Sequence, residues 1–382
     1  MRVIVVGGGI VGLVTARECL LRGADVVVID QADLPNAQST SWDEHRIVRA
    51  LHRDSVATTW AAARAHSRWM ALERELGARF YQRIGVLTAL PVQAVQPTQA
   101  NLMQAGVATR SFRPDELGKR WGAVRFPDGM GAILEPHAGV VLADLALGAL
   151  VRWLRAHRRC ELLTRRRAVL IDAGARAAHL ADGDVVSGDR LVIAAGPWSR
   201  ELIPAELAAT LTLRRQTMLY CAVPAQFRKG FANLPAIAAF GAGEHSWLVP
   251  PTAGTHLKLS AEGTCRVEHD MTDRAVAPHW QDHLLAHFSE FVTGLDPSWV
   301  LAARDCSYLG EAQTGEPVLA QLGDAGAWAY AACGGNSFKL APIIGRSLAE
   351  RLTDCAVSST GLGPLDRPVR LPVPILEINH GR

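Results

Sequence analysis

The feature that most constrains this chain lies within its first thirty residues. A short β-branched stretch, Arg2–Val6, runs into Gly7-Gly8-Gly9-Ile10-Val11-Gly12, which opens a segment of helical periodicity over residues 10–22. A second β-branched stretch, Asp25–Ile29, follows. Strand, G-x-G-x-x-G turn, helix and strand in that order predict a βαβ unit of Rossmann type. Gly7 permits the tight turn, Gly9 lets a pyrophosphate approach the backbone at Ile10 and Val11, and Gly12 lets helix and strand close together. The helix N-terminus then faces the phosphates. Asp30 ends the second strand, where a carboxylate can accept hydrogen bonds from a ribose diol.

The 382 residues exceed one small core and suit a cofactor domain plus a substrate domain. Hydrophobic residues at 49% and charged residues at 20% fit a globular chain. The net charge of +3 comes from 40 basic and 37 acidic residues that are interspersed, which points away from nucleic acid. The densest basic cluster, residues 155–167, reads as exposed arginines between a helix and a strand. Seven scattered cysteines with no Cys-x-x-Cys pair argue against zinc or dithiol chemistry and fit a reducing cytoplasm. The apolar run at residues 3–6 ends in glycines, so no secretory h-region is expected. No apolar stretch of ~18 residues predicts a membrane span.

Further along, the pattern predicts helices over 56–76, 141–157 and 342–352. Strands are expected over 84–90, Ala168–Asp172, 190–194, 212–223, 236–240, 255–260, 317–321 and Ala327–Ala332. The expected fold is α/β (α+β overall). Residues 1–80, 140–209 and 305–360 are expected to form a discontinuous cofactor domain, and 81–139 and 210–304 a substrate domain on an antiparallel sheet. Residues 361–382 read as a proline-rich tail. Gly323-Asp324 between two strands reads as a hairpin turn. His45, His137 and His245 are isolated and read as structural or surface histidines.

Leu191-Val-Ile-Ala-Ala-Gly196-Pro-Trp198, a hydrophobic strand entering Ala-Ala-Gly, resembles the second strand of the FAD domain in glutathione-reductase-type flavoproteins. It favours FAD over NAD. Ser39-Thr-Ser-Trp-Asp-Glu-His-Arg46-Ile-Val-Arg49 then resembles one branch of the D-amino-acid oxidase superfamily, that of monomeric sarcosine oxidase and N-methyltryptophan oxidase. Members carry Arg-Ile-x-Arg at this place. Thr255-His-Leu-Lys258-Leu resembles the family's oxygen-activating lysine segment, Asp305-Cys306-Ser-Tyr308 its flavin-attaching cysteine segment, and Gly334-Gly-Asn-Ser-Phe-Lys339 its substrate-carboxylate lysine segment. The likeness covers nearly the whole chain except the tail.

The resemblance implies an FAD enzyme that oxidises the C–N bond of a small secondary or cyclic amine or amino acid, with O2 as acceptor and H2O2 as product. The chain would be a monomer or small homo-oligomer, without a metal. Lys258 would stabilise negative charge developing on oxygen, Arg46 would support the flavin, and Arg49 and Lys339 would anchor a substrate carboxylate. The spacing of Arg46 and Arg49, one helical turn or a short bend on a polar loop, would let both reach the cofactor edge. Taken alone, Lys258 reads as a lysine on the solvent face of a strand and Cys306 as a small buried core residue. By resemblance Cys306 is the candidate thioether to the flavin. The expected cofactor set is completed by Gln31, Ser39, Thr40, Val169, Ala195, Gly196, Trp198, Gly334, Gly335, Asn336, Ser337, Phe338 and Lys339.

Departures point away from sarcosine itself. Glu262 stands where the family's sarcosine oxidases have a histidine, Gly-Asn-Ser replaces Gly-His-Gly before Lys339, and Ser246-Trp247-Leu248 replaces tyrosines. Trp247 suits a stacking wall for a bulkier substrate. A dehydrogenase of the same fold using another acceptor, and a non-catalytic FAD-binding protein, are the alternatives.

Overall fold

The computed structural model describes residues 1–52, 56–241, 243–271, 273–323, 326–353 and 375–378. The expected opening unit is present as β1 (Arg2–Val6), α1 (Ile10–Leu21) and β2 (Asp25–Ile29). The two strands pair in parallel from Arg2↔Asp25 to Val6↔Ile29. Four of five residues in each are buried, because helices and a second small sheet cover the two faces and leave no room for an alternating polar edge.

These strands lie inside a seven-stranded sheet ordered Ile375–Ile378, Val318–Leu322, Ala327–Ala332, Arg190–Ile193, β1, β2, Cys160–Leu163. Each pairing is parallel except the hairpin of Val318–Leu322 with Ala327–Ala332. One face is covered by α1 and the helices Val56–Glu75, Ala143–Ala156 and Ser337–Thr353, which share one apolar core. Gly345 makes the closest of these contacts possible, since a Cβ there would overlap Val14.

A nine-stranded sheet forms the second layer, ordered Arg266–Glu268, Leu211–Cys221, Leu257–Ala261, Ser246–Val249, Ala236–Ala239, Val86–Pro91, Met130–Glu135, Arg110–Phe112. Val300–Glu311 pairs alongside Leu211–Cys221. That pair is long and antiparallel, from Leu211↔Glu311 to Cys221↔Val300. Among the described residues, no helix is long and apolar enough to cross a membrane.

Several expectations are corrected. The expected strand Ala168–Asp172 is present, not as a return to the cofactor sheet but in a separate antiparallel sheet with Ala177–Leu180 and Val185–Ser187, while the unanticipated strand Cys160–Leu163 extends the cofactor sheet. Residues 139–142 are a strand before the helix begins at Ala143. The last helix starts at Ser337 and carries Pro342 inside it. Pro342 is the sixth residue of that helix, past the first turn, so it forgoes the bond an N–H there would make to the Phe338 carbonyl. The tail expectation is corrected at Ile375–Ile378, which forms a strand; the rest of 354–382, like Asp324 of the Gly323-Asp324 turn, lies outside the described residues.

Candidate active site

A cleft with about 1510 Å³ of empty space, its open mouth included, lies at the C-terminal ends of β1, β2 and Arg190–Ile193. Here the strand order reverses direction around β1, the usual place for a ligand in an open α/β sheet. Gly7 has φ 110° and its Cβ position is filled by the Ala194 carbonyl; a Cβ on Gly12 would overlap the Gly7 carbonyl. Gly9, by contrast, would meet Ser41 Oγ at 3.2 Å and little else. Only an open position at the helix start lets a ligand reach the backbone. Gly9, Ile10 and Val11 line the cleft, and the first turn of α1 carries no acidic side chain to repel a phosphate.

Asp30 lines the cleft too, yet its carboxylate first serves the loop. It accepts bonds from the Gly8 N–H (2.8 Å), the Ala32 N–H (3.0 Å) and Asn36 Nδ2 (3.1 Å). Burial raises its pKa, against those bonds. With roughly four lone-pair sites on a carboxylate, one remains for a ribose hydroxyl.

The nine-stranded sheet supplies the opposite wall. Side chains alternate along strands, so the register Gln216↔Cys306, Tyr220↔Lys258 and Trp247↔Ser260 puts Gln216, Met218, Tyr220, Lys258, Cys306 and Trp247 on one face. Gln216, Met218, Trp247, Lys258, Cys306 and Tyr308 reach the cleft. Lys258 is only 3% exposed. Its Nζ is ion-paired with Asp43 and donates to the His45 carbonyl at 3.3 Å. Asp43 also accepts from Tyr220 Oη (2.7 Å) and the Glu44 N–H (2.8 Å) and lies 3.1 Å from Arg46 Nη1. Burial alone would raise the Asp43 pKa, but the Lys258 and Arg46 charges hold it below the usual carboxylate range. Burial lowers the Lys258 pKa, and Asp43 pulls it back up.

Arg46 lies over the Phe338 ring at 5.8 Å, donates to the Thr40 carbonyl and sits 3.8 Å from Cys306 Sγ. Thr40 in turn donates to the Ser307 carbonyl, so the segment after β2 is tied to the cysteine strand.

Arg46 and Arg49 part company. Residues 45–48 form a strand, not a loop, and Arg49 follows its end. Arg46 lines the cleft and Arg49 does not, which corrects the expectation that both reach the cofactor edge. Lys339 and Asn336 also lie outside its lining. Lys339 Nζ donates to Asn336 Oδ1 (2.8 Å) and stands 3.1 Å from His52 Nε2. The His52 Nδ1 is 2.9 Å from the Ala50 carbonyl and must donate to it, leaving Nε2 bare to accept from the lysine. Burial, then the Lys339 and Arg49 charges, push His52 down to about 2. Burial and Arg49 take Lys339 well below its ordinary value. Glu135, 3% exposed, accepts from the Ala50 and Leu51 N–H groups at 2.7 and 3.1 Å.

Of the other expected cofactor residues, Gln31, Ser39, Thr40, Ala195, Gly196, Trp198, Gly334, Gly335, Ser337 and Phe338 line the cleft, while Val169 is corrected: it is 47% exposed, and its neighbour Ala168 lines the cleft in its place. The basic cluster is corrected as well. Arg166 and Arg167 reach the cleft, held by Asp184 and Glu201. Glu262 is exposed, outside the lining.

Asp43 was missed. One signal bearing on its partner lay in the composition: of 40 basic residues only four are lysines, Lys119, Lys229, Lys258 and Lys339. The first two are exposed and the last two buried. The two buried lysines thus stand out in a chain whose cations are otherwise almost all arginines.

The family model for FAD dependent oxidoreductases (DAO) matches residues 2–351. The chain belongs to this family. Monomeric sarcosine oxidase of Bacillus sp. (strain B-0618) is 26% identical over 206 residues, 53% of this chain and 52% of that protein. N-methyl-L-tryptophan oxidase of Yersinia pestis (strain Pestoides F) is 26% identical over 209 residues, 53% and 55% of the two. The matched stretch thus spans about half the length of these curated relatives, and they fall in the branch that the Arg-Ile-Val-Arg element resembles. Among solved structures, NikD, an unusual amino acid oxidase essential for nikkomycin biosynthesis, superposes with a TM-score of 0.74 at 18% identity over 96% of each chain. A modified fructosyl peptide oxidase from Aspergillus nidulans gives 0.77 at 18% identity over 98% and 97%. At these identities the likeness establishes the mixed α/β fold.

The residues present fit the family's FAD. The filled Cβ positions at Gly7 and Gly12, beside the open one at Gly9, make a backbone cradle at a helix start for the pyrophosphate. Asp30 keeps an acceptor site for the ribose, and the cationic wall of Arg46 and Lys258 suits the ring system, which gains negative charge on reduction.

Proposed function

We propose that the chain oxidises the C–N bond of a small amine or amino acid, secondary or cyclic, to an imine, and that O2 takes up the electrons. The observation that supports this most directly is that the glycine cradle, Arg46, Lys258, Trp247 and Cys306, drawn from five separate segments, open onto one cleft. FAD, when bound there, supplies the acceptor for a hydride equivalent from the carbon beside nitrogen. The substrate gives up one hydride, that is two electrons and a proton, from carbon and a second proton from nitrogen; O2 takes two electrons and two protons to become H2O2, and water hydrolyses the imine.

The protein's own residues place and polarise. Lys258 holds a cation at the wall where charge develops on oxygen, and Arg46 faces the ring system. Arg49, just past the strand His45–Val48, and Lys339, on the helix Ser337–Thr353, anchor a substrate carboxylate. Trp247 gives a flat wall for a bulky or cyclic side. Cys306 stands at the cleft as the candidate thioether. In this reading the seven-stranded layer carries the cofactor and the nine-stranded layer the substrate, and the chain works in a reducing cytoplasm, where its cysteines stay free.

The test is the visible spectrum of the purified protein before and after acid precipitation, then anaerobic mixing with a panel of secondary-amine amino acids. Yellow colour that stays with the precipitate and bleaches with one amine is the expected result. Colour released to the supernatant removes Cys306 as a linker, and a colourless protein overturns the whole reading.

A further inference from the structure

We propose that Asp43, which does not itself line the cleft, is a positioning residue for the oxygen half of the reaction: its ion pair keeps Lys258 an ammonium group fixed at the cleft wall, and so sets the rate at which O2 takes electrons. The proposal rests on the reading of Lys258 as the oxygen-side cation.

The geometry is that of a filled socket. Asp43 has a fully buried side chain, and its two oxygens together receive four groups: Lys258 Nζ and Arg46 Nη1 on Oδ2, Tyr220 Oη and the Glu44 N–H on Oδ1. That uses the whole acceptor capacity of a carboxylate. No lone pair is left for water or substrate, so the residue has no role of its own in proton transfer; what it can do is hold its neighbours.

The groups around Lys258 show why it needs holding. Arg46 and Arg304 are cations on the same side, the latter 5.1 Å over the Tyr220 ring. His45 is buried and pushed down to about 4 by desolvation, then by Lys258 itself, so it is neutral and offers only its carbonyl. Cys306 and Tyr220 complete the surroundings, and Glu44 is turned away to His256, 2.7 Å from its Nδ1. Asp43 is thus the one carboxylate in contact with Lys258 among the described residues. A buried lysine beside a guanidinium, without that partner, sheds its proton and with it the charge that catalysis uses.

Asparagine at position 43 keeps an oxygen for Tyr220 and Glu44 but turns N–H donors toward Lys258 and Arg46. Two measurements test the idea without knowing the substrate. In protein labelled with [ε-13C]lysine there are only four lysine signals, and the Lys258 signal in the wild-type flavin-loaded protein is expected to stay that of an ammonium group from pH 6 to about 9. A neutral Lys258 at pH 7 overturns the proposal, whatever the variants do. Second, flavin reduced with dithionite is mixed with air-saturated buffer across that range. Asp43→Asn is expected to reoxidise roughly tenfold or more slowly at the alkaline end and to lose rate as pH rises, because the charged fraction falls tenfold per pH unit above a lowered pKa. A wild-type rate and profile in Asp43→Asn, with Lys258→Met slow, overturns the role of Asp43 alone. A wild-type rate in Lys258→Met overturns the oxygen-side reading of the lysine, and this proposal with it.

Discussion

Lys258 and Lys339 are both buried, 3% and 9% exposed, and each stands with one arginine of the same Arg46-Ile47-Val48-Arg49 element and one buried carboxylate. The carboxylates are used differently. Asp43 touches its lysine and arginine directly, so that group is locked at one net positive charge. Glu135 spends its oxygens on the Ala50 and Leu51 N–H groups and acts on Arg49 and Lys339 only through space; Lys339 leans instead on the uncharged His52 and Asn336. The first arrangement is a fixed cation that needs nothing more. The second has the same charges but no carboxylate touching its cations, the condition under which a ligand carboxylate is welcome. The difference begins at the strand His45–Val48, which places Arg46 on the cleft, while Arg49 follows the strand's end and lies outside the cleft lining.

Substitutions should separate the two. Lys258→Met is expected to slow reoxidation by O2 by about 10²–10³-fold while leaving flavin reduction by substrate near the wild-type rate in stopped-flow mixing. Equal losses in both halves would merge the two groups into one.

Acid should attack the first group through His45. Its folded pKa, about 4, lies below the ~6.5 of an unfolded histidine, so the unfolded chain binds the extra proton in between. The contribution is complete above pH 6.5 and fades as pH falls toward 4, by about 3 kcal/mol at most. Urea unfolding at pH 7.5 and 4.5 measures it, and His45→Asn should have the flatter slope; identical slopes would show that His45 carries none of the acid sensitivity.

Lys339→Met should lower kcat/KM for a carboxylate-bearing amine by roughly 10–100-fold, the worth of one charged hydrogen bond. The same amine without its carboxylate should be affected far less. If both suffer alike, the second group is not an anion site. Glu135→Gln is the mildest change, since the amide oxygen keeps one of the two backbone bonds. We expect a loss of about 1–2 kcal/mol in urea unfolding, along with slightly tighter binding of carboxylate substrates once the negative charge is gone.

What could be read in advance follows the same division. The cradle was legible because its demands fall within one βαβ unit: a glycine at φ 110°, one at a close contact, one left open at the helix start, and an acid at the end of the second strand. The resemblance carried Arg46, Lys258 and Cys306 to one cleft. Asp43 escaped because its importance exists only when residues 43, 220 and 258, on three segments, meet. Nor did spacing reveal that residues 45–48 are extended, which requires Gly139–Leu142 as the partner strand. Short strands such as Cys160–Leu163 escaped for a similar reason: neighbours supply what their own sequence lacks.

The strand Ile375–Ile378 has a consequence for handling the molecule. It lies parallel to Val318–Leu322 and forms one border of the seven-stranded sheet. Val318, Leu319, Ala320 and Leu322 beneath it are all buried and apolar. A chain cut before Ile375 would show that row of unpaired peptide groups to solvent, a template on which a second molecule could add its own strand. Trimming the C-terminal segment to improve crystals or expression would therefore invite self-association, even though nothing in the cleft had been touched.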